Sequence, residues 1–246
     1  MRLMRIILGF ALLMTPAVAA PLSAEQEKAV EQLIADYFIR NPDKMRDALS
    51  AYQAHMQAEE ERLFAETMRD RAPALYRNEK DFSMGPADAP ITIVEFFDYN
   101  CGYCKKVFAP LMEVLEENPD VRLVFKEFPI LSQDSDRAAR TALALDDKLK
   151  FLTFHTKLMT HRGSINGALL DKTLTELKLD KAALARKARS AEVDAHINET
   201  KSLARDLGIT GTPAFVIDGQ LYPGALEKDR LNELIAMVRA NQKAKN

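Results

Sequence analysis

The chain has 246 residues, of which 47% are hydrophobic and 28% charged. This apolar fraction excludes an intrinsically disordered chain and is enough to bury one sizeable core. The formal net charge is only −2, so the composition predicts no nucleic-acid partner and no binding to an anionic membrane surface.

Residues 1–19 have the layout of a secretory signal peptide. Arg2 and Arg5 supply positive charge, a short apolar run follows, and Ala17 and Ala19 are small residues at the −3 and −1 positions of a cleavage site. The run is too short for a comfortable membrane span. The sequence therefore predicts a cleaved signal peptide and export to the periplasm, with an uncleaved membrane anchor as the alternative.

The next region is predicted to be helical up to Pro73, with a helix restart at Asn41–Asp43. Apolar residues recur at helical spacing in both helices, and in the second helix the steps alternate between four and three, as in a coiled-coil seam. We predict that residues 20–77 form an N-terminal region for self-association. Packing of these helices against their own catalytic domain is the alternative. The apolar stripe of the first helix is Val30, Leu33, Ile34, Tyr37 and Phe38, and the seam of the second is Met45, Leu49, Tyr52, Met56, Glu59 and Leu63.

The next segments alternate between extended and helical character. Residues 78–90 are rich in turn formers and are predicted to be a linker. Ile91–Phe97 and Val121–Phe128 are β-branched and aromatic runs typical of buried strands. Between these strands, residues 104–117 are predicted to form a helix.

The second half of the chain begins with a block of helical patterns over residues 133–207, which Gly208 is expected to end. Ala214–Ile217 is then a strand, followed by a hairpin turn and a second short strand. An amphipathic helix over residues 227–240 closes the chain. The predicted fold class is therefore α/β, with a helical insertion between two strand-containing halves.

Cys101 and Cys104 are the chain's two cysteines, and they form one C-x-x-C motif. An exported protein that uses disulfides for stability normally distributes several along its chain, so this pair indicates chemistry rather than cross-linking. A zinc site needs about four ligands, and the four histidines lie scattered without ligand spacing. The sequence predicts no metal site and no cofactor.

The position of the motif gives each cysteine a role. Cys101 lies where a predicted strand ends and a helix begins, so free backbone N–H groups and the helix dipole would stabilise its thiolate. We predict that Cys101 is the attacking thiolate and that Cys104, one helical turn further on, is the buried resolving thiol. The two can close a redox disulfide. Gly102 permits close approach at the turn, and Tyr103 offers an aromatic surface beside the sulfur.

Residues 96–106 resemble the active-site segment of the DsbA-like branch of the thioredoxin superfamily, and Gly208–Phe215 resembles the second diagnostic segment of that family. The resemblance implies a thioredoxin-like catalytic domain over residues 91–246 and thiol–disulfide oxidoreductase activity. In the family the proline of the second segment is cis and lies against the C-x-x-C. Carried over, this role falls on Pro213, and pairing of backbone with substrate falls on Thr212.

Glu95 is a further candidate site residue. It shares a strand face with Ile93 and Phe97, where an unpaired carboxylate would be costly, and Lys126 in the next strand is its expected partner. The two could form a purely structural ion pair. The resemblance instead gives the acidic residue at this place the role of proton acceptor for Cys104, which is the interpretation we favour.

The Gly-Tyr dipeptide and the long N-terminal helices resemble the oligomeric DsbA-like proteins of the suppressor-of-copper-sensitivity (ScsC) and Com1 type. The predicted function is isomerisation or reduction of wrong disulfides in exported proteins, with a membrane thiol reductase as redox partner and a homo-oligomeric state. One alternative is a dithiol oxidase, whose partner would be a membrane oxidase. The other is a non-enzymatic periplasmic protein, either a Cu(I) carrier or a holdase.

Overall fold

The computed structural model describes residues 21–245, so the predicted signal peptide over residues 1–19 lies outside the described part of the chain. Within the described range, no helix is both long and apolar enough to cross a membrane. The chain divides into two compact units, the first ending at Glu59 and the second beginning at Glu60. The two units are described separately below.

The N-terminal helices begin and end at recognisable caps. Helix α1, Ala24–Arg40, opens with a capping box in which the Ser23 hydroxyl accepts a hydrogen bond from the Gln26 backbone and the Gln26 side chain accepts one from the Ser23 backbone. Helix α2 spans Pro42–Tyr76, so the predicted restart is confirmed. The prediction that Pro73 ends the helix is wrong. Backbone hydrogen bonding continues past it, with Arg77 N donating to the Pro73 carbonyl at 2.9 Å.

The apolar stripes predicted on both helices are open on the surface of the first unit. No residue of α1 is buried. Leu33 is 64% exposed and Leu49 is 54% exposed. Side chains of this size are rarely left uncovered in a row, and here the apolar side chains of the stripes lie exposed within the N-terminal unit.

The second unit is built on a mixed five-stranded sheet in the order β1-β3-β2-β4-β5. Strands β2 and β3 are parallel, and the remaining neighbours pair antiparallel. The strands are β1 Ser83–Met84, β2 Ile91–Phe97, β3 Val121–Glu127, β4 Ala214–Ile217 and β5 Gln220–Pro223.

Helices cover this sheet and fill the long crossover between its two halves. Helix α3 connects β2 to β3, five helices separate β3 from β4, and one helix follows the hairpin. This arrangement confirms the predicted thioredoxin-like α/β fold with a helical insertion. The helices are α3 Gly102–Glu117, α4 Gln133–Leu143, α5 Lys148–Met159, α6 Gly167–Glu176, α7 Lys181–Lys187, α8 Ala191–Asp206 and α9 Lys228–Lys245.

Alternation along β2 divides the core into two layers. Ile93 and Phe97 pack on the face shared with α3, α5 and α9, whereas Val94 and Phe96 pack on the opposite face with the end of α2 and with α8. Both faces of the strand are buried, as its continuous apolar run predicts. Glu95 therefore lies on the same face as Ile93.

Residues 78–90 differ from the linker that their composition predicts. Ser83 and Met84 form the edge strand β1, paired with β3, and Phe82 stacks on Phe151 with ring centroids 4.0 Å apart. Gly85 has φ +85°, and a Cβ at this position would lie 2.2 Å from the Val121 carbonyl oxygen. Turn-forming residues predict irregular backbone, but they do not distinguish a free linker from a segment packed against the sheet.

Candidate active site

The redox pair lies at the junction of β2 and α3. Cys101 is the N-cap of α3, with φ −75° and ψ 115°, and its sulfur accepts a hydrogen bond from the Cys104 backbone N–H at 3.4 Å. Cys101 N donates to the Asp98 carbonyl at 3.0 Å, which closes the turn before the helix. Both cysteines are free, with no disulfide between them. The predicted placement of Cys101 at a helix N-terminus is thus present in the structure.

The two thiols have opposite acidities. The hydrogen bond from the Cys104 thiol is the main cause that lowers the pKa of Cys101 to about 5; the Thr212 side chain and the backbone N–H groups of Cys104 and Tyr103 add to it, against burial. Burial raises the pKa of Cys104 far above its usual range. At neutral pH Cys101 is therefore a thiolate and Cys104 a thiol.

The loop before β4 meets the redox pair. The Thr212–Pro213 peptide bond is cis, which confirms the geometry expected from the resemblance. The Cys101 sulfur lies 3.2 Å from the Thr212 carbonyl oxygen. Pro213 is buried, and its own carbonyl accepts from Gly224 N at 2.9 Å, so the loop is anchored to the end of β5.

The dipeptide between the cysteines faces outward. Tyr103 is 66% exposed. A Cβ at Gly102 would meet no atom within 4 Å, so the close approach expected at this glycine does not involve the chain's own atoms. Both residues border open space next to Cys101, where a substrate chain could lie.

Glu95 lies beneath the redox pair as an unpaired acid. Its side chain is 1% exposed, and neither carboxylate oxygen has a hydrogen-bond partner. Burial, and secondarily the charge of Cys101, raise the pKa of Glu95 to about 8. The carboxyl group is therefore largely protonated at neutral pH and lies close enough to the cysteines to respond to their charge.

The expected ion pair between Glu95 and Lys126 is wrong. Glu95 is aligned with Phe125 in the parallel pairing of β2 and β3, so the next residue, Lys126, points to the opposite face of the sheet. There the Lys126 ammonium forms an ion pair with Asp81 and donates to the Ala74 carbonyl at 2.5 Å. Lys126 therefore belongs to a buried structural cluster and contributes no group to the redox site.

Asp98 and Asn100, which the sequence reasoning did not select, hold the active-site loop. The Asp98 carboxylate accepts hydrogen bonds from the backbone N–H groups of Asn100, Ile130 and Leu131 at 2.7, 2.9 and 3.0 Å. The Asn100 side chain accepts from Ile165 N at 2.6 Å and donates to its carbonyl at 3.2 Å. Together they fasten the residues before Cys101 to the helical insertion. Asp and Asn are turn-forming residues, so the sequence indicates a turn here. It does not indicate their hydrogen-bond partners, which lie far along the chain.

A second buried polar group packs behind the loop. The Tyr99 hydroxyl lies 3.0 Å from Glu127 Oε1 and 3.1 Å from His155 Nδ1. Burial raises the pKa of Tyr99 and of Glu127 well above their usual values and lowers the pKa of His155 to about 3. Burial therefore favours the neutral form of each group, and the Tyr99 hydroxyl links Glu127 and His155 inside an aromatic core.

In the range that the structure describes, no group of three or more His, Cys, Asp and Glu side chains is arranged to hold a metal ion. The functional groups brought together here are a thiolate, a thiol, a buried acid and a cis-proline loop. Such a set performs thiol–disulfide exchange, in which a thiolate attacks a disulfide sulfur and a second thiol resolves the mixed disulfide. The fold and this site are those of the thioredoxin-like thiol–disulfide oxidoreductases.

Comparison with known proteins defines the family more closely. Residues 92–236 match the DSBA-like thioredoxin domain, and the chain belongs to this family. A thioredoxin-like oxidoreductase from Silicibacter pomeroyi DSS-3 is 38% identical with a TM-score of 0.65, over 68% of this chain and 97% of that one. Proteus mirabilis ScsC in a transitional conformation is 28% identical with a TM-score of 0.66, over 89% of this chain and 100% of that one.

A curated relative, the Na(+)/H(+) antiporter NhaA 1 of Salinispora arenicola, is 26% identical over 164 residues. The match covers 66% of this chain but only 25% of the antiporter's length. The chain thus spans about a quarter of the first curated relatives that it matches. The shared part is far shorter than the antiporter, so this likeness is to one portion of that protein.

Proposed function

We propose that this protein is a periplasmic disulfide isomerase or reductase that acts on exported proteins through Cys101 and Cys104. The observation that carries the proposal is the Cys101 sulfur, held at the N-terminus of α3 against the cis Thr212–Pro213 bond, with its pKa lowered to about 5. A thiolate at neutral pH is the attacking species in disulfide exchange.

In the proposed reaction the Cys101 thiolate attacks one sulfur of a substrate disulfide. One S–S bond forms and one breaks, so the substrate leaves with one free thiolate. In isomerisation that thiolate, or another substrate thiol, attacks the mixed disulfide and releases Cys101 unchanged. In reduction Cys104 attacks instead, the Cys101–Cys104 disulfide forms, and a membrane thiol reductase must return two electrons.

The ionised fraction of Glu95 serves the reductive branch as proton acceptor. Because Cys104 is fully buried and its pKa is far above its usual range, it attacks only if a nearby base removes its proton. Glu95 has no other partner, and its pKa of about 8 is suited to exchanging a proton near neutral pH. Thr212 and Pro213 would hold the substrate backbone, and Gly102 and Tyr103 would contact it beside the sulfur.

The N-terminal helices are proposed to assemble several protomers. The exposed apolar stripes on α1 and α2 support this, because a second copy of the chain would bury them. The match to ScsC also supports it, because that match covers 89% of this chain, which is more than the catalytic domain alone. Several catalytic domains around one space could hold a misfolded substrate while its disulfides are rearranged.

The proposal is tested in the full chain by placing charges on the seam. Leu49→Glu/Met56→Glu places two carboxylates on the predicted contact face of α2, whereas Ser50→Glu/Ala54→Glu adds the same charge outside the seam. Oligomeric state is measured by light scattering, and activity as reactivation of a scrambled-disulfide substrate and as oxidation of a reduced one. Cys101→Ser serves as the inactive control.

We expect the seam variant to become monomeric and to lose isomerase activity while it still exchanges dithiols, and the matched variant to retain both properties. If the original chain oxidises dithiols without rescuing the scrambled substrate, the oxidase function is correct and the isomerase proposal fails. If the seam variant is monomeric and fully active as an isomerase, assembly has no part in the reaction.

A further inference from the structure

A groove beside the redox pair is lined by positively charged side chains. It encloses about 620 Å³ between the first turn of α3 and the segment that follows α5. Asn100 and Gly102 form the wall next to Cys101, and Met159 and Ala109 supply apolar surface. We call this space the basic groove. Its titratable lining residues are Lys105, Lys106, His161 and Arg162.

The residues that line the basic groove include positively charged side chains but no Asp or Glu to balance them. Arg162 is exposed and forms no ion pair in the part of the chain described. Lys105 donates to the Gly163 carbonyl at 2.5 Å, so it is hydrogen-bonded but keeps its positive charge unpaired. Only Lys106 has an anionic partner, Glu227, at 2.8 Å.

Two acidic groups near the groove offset this charge in part, since Asp98 attracts Lys105 and Glu227 pairs with Lys106. The Asp98 carboxylate lies behind the loop, 1% exposed, with three backbone N–H groups directed at it. Glu227 is held at the rim by Lys106. The ammonium of Lys105 and the guanidinium of Arg162 therefore add net positive charge to the groove, next to Gly102 and the adjoining Cys101.

We propose that the basic groove binds an acidic segment of the substrate protein next to its disulfide, so that the enzyme selects disulfides flanked by Asp or Glu. This inference rests on the proposed function and specifies its substrate class. A carboxylate seated between Lys105 and Arg162 would place the neighbouring disulfide beside Gly102 and Cys101. Unlike charges in a cleft raise the rate of encounter at low ionic strength.

Positioning the disulfide has a further electrostatic consequence. When the Cys101 thiolate attacks, the new S–S bond forms, the old one breaks, and the negative charge passes to the leaving sulfur. An anionic substrate approaching an anionic nucleophile is disfavoured by repulsion, and the groove offsets that repulsion with fixed positive charge. Acidic substrates should therefore depend on the groove more strongly than neutral ones.

The test uses three small disulfides as probes: anionic glutathione disulfide, neutral 2-hydroxyethyl disulfide and cationic cystamine. Mixed-disulfide formation on Cys101 is measured in the full chain carrying Cys104→Ser, by acid quench and mass spectrometry. Arg162→Glu reverses the charge of one groove residue while Lys105 and Lys106 stay in place. Arg186→Glu, an exposed arginine on α7 outside the groove, makes the same change in net charge. Arg162→Gln tests removal without reversal.

We expect Arg162→Glu to lower the glutathione-to-cystamine rate ratio about tenfold at low ionic strength, with a smaller fall for Arg162→Gln. The neutral probe should react at an unchanged rate, and Arg186→Glu should change the ratio less than about twofold. In about 1 M salt, where the screening length is about 3 Å, the effect of Arg162→Glu should largely vanish.

Two results would overturn the groove proposal while the redox function stands. One is an equal change of the ratio in Arg162→Glu and Arg186→Glu, which would mean that net charge alone matters. The other is a matching loss of rate with the neutral probe, which would place the effect on the thiolate itself. If none of the three probes forms a mixed disulfide with Cys101, the proposed redox function itself is refuted, and the groove proposal with it.

Discussion

Replacing Glu95 by Gln tests whether the buried acid beneath the redox pair holds its proton at neutral pH. Gln keeps the shape of the side chain and removes its titration. In the unfolded chain the carboxyl group ionises near pH 4.5, whereas in the folded protein its pKa is about 8. Between these values the folded state keeps the proton and the unfolded state has lost it. Stability of the original protein must therefore fall as the pH rises through this window.

The size of the effect follows from the difference between the two pKa values. Each unit corresponds to about 1.36 kcal/mol, so Glu95 destabilises the folded state by about 3 kcal/mol at pH 7 and about 5 kcal/mol above pH 8. Below pH 4.5 the contribution is absent. A buried Gln amide carries its own cost, but that cost does not depend on pH. The advantage of Glu95→Gln over the original chain should thus grow by about 4 kcal/mol from pH 4.5 to pH 8.5.

The assay is urea unfolding of both proteins in the reduced form at several pH values. Titration of Cys101 is common to both chains, so it largely cancels in the difference between their unfolding free energies. A repeat on the oxidised proteins removes the Cys101 thiolate charge, which is the second cause of the raised pKa of Glu95. The difference in stability between the two proteins should then increase less with pH. Parallel stability curves for the two reduced proteins across this pH range would refute the assignment of a raised pKa to Glu95.

Two further predictions concern the thiol pair and the structural ion pair. Cys104→Ala removes the hydrogen bond that contributes most to lowering the pKa of Cys101, and should raise that pKa by about 1–2 units, whereas Cys104→Ser should keep most of the shift. The readout is thiolate absorbance against pH, and equal pKa values in the two variants would contradict the reasoning. Lys126→Met should cost about 3–5 kcal/mol by removing the ammonium from buried Asp81, which then keeps only His196 Nε2, 3.0 Å away, as a neighbour. Lys126→Met/Asp81→Asn should recover much of that loss in urea unfolding. Additive losses in the double variant would count against the pairing.

Local sequence signals were sufficient for the elements that form the site. The apolar run Ile91–Phe97 and the run Ala214–Ile217 are the strands as observed, because both are buried on two faces. Gly208 ends the helical block with φ +70°, and the Asp218–Gly219 turn has φ values of 49° and 77°. These features depend on the conformational preferences of residues at or beside the position, so they can be read without knowledge of the fold.

Features that depend on pairing between distant segments were not predictable in the same way. The Glu95–Lys126 pair failed because the register of two parallel strands decides which residues share a face, and a shift of one residue reverses the outcome. Asp98 gave no sign of its role, since two of its three backbone donors lie more than thirty residues further along the chain. The Pro73 prediction failed for a related reason: burial of Leu75 and Met68 against the sheet stabilises the last turns of α2.

The separation of Lys126 from Glu95 also bears on the pKa of Glu95. An ammonium beside Glu95 would stabilise the carboxylate and lower its pKa, leaving a weak base for the Cys104 thiol. By pointing to the other face, Lys126 stabilises the segment around Asp81 instead, where a permanent ion pair is useful. Alternation along β2 and β3 thus places Glu95 on the sheet face that carries the cysteines. The ion pair of Lys126 and Asp81 lies on the opposite face. A strand register shifted by one residue would preserve the hydrogen bonds of the sheet and lose this division.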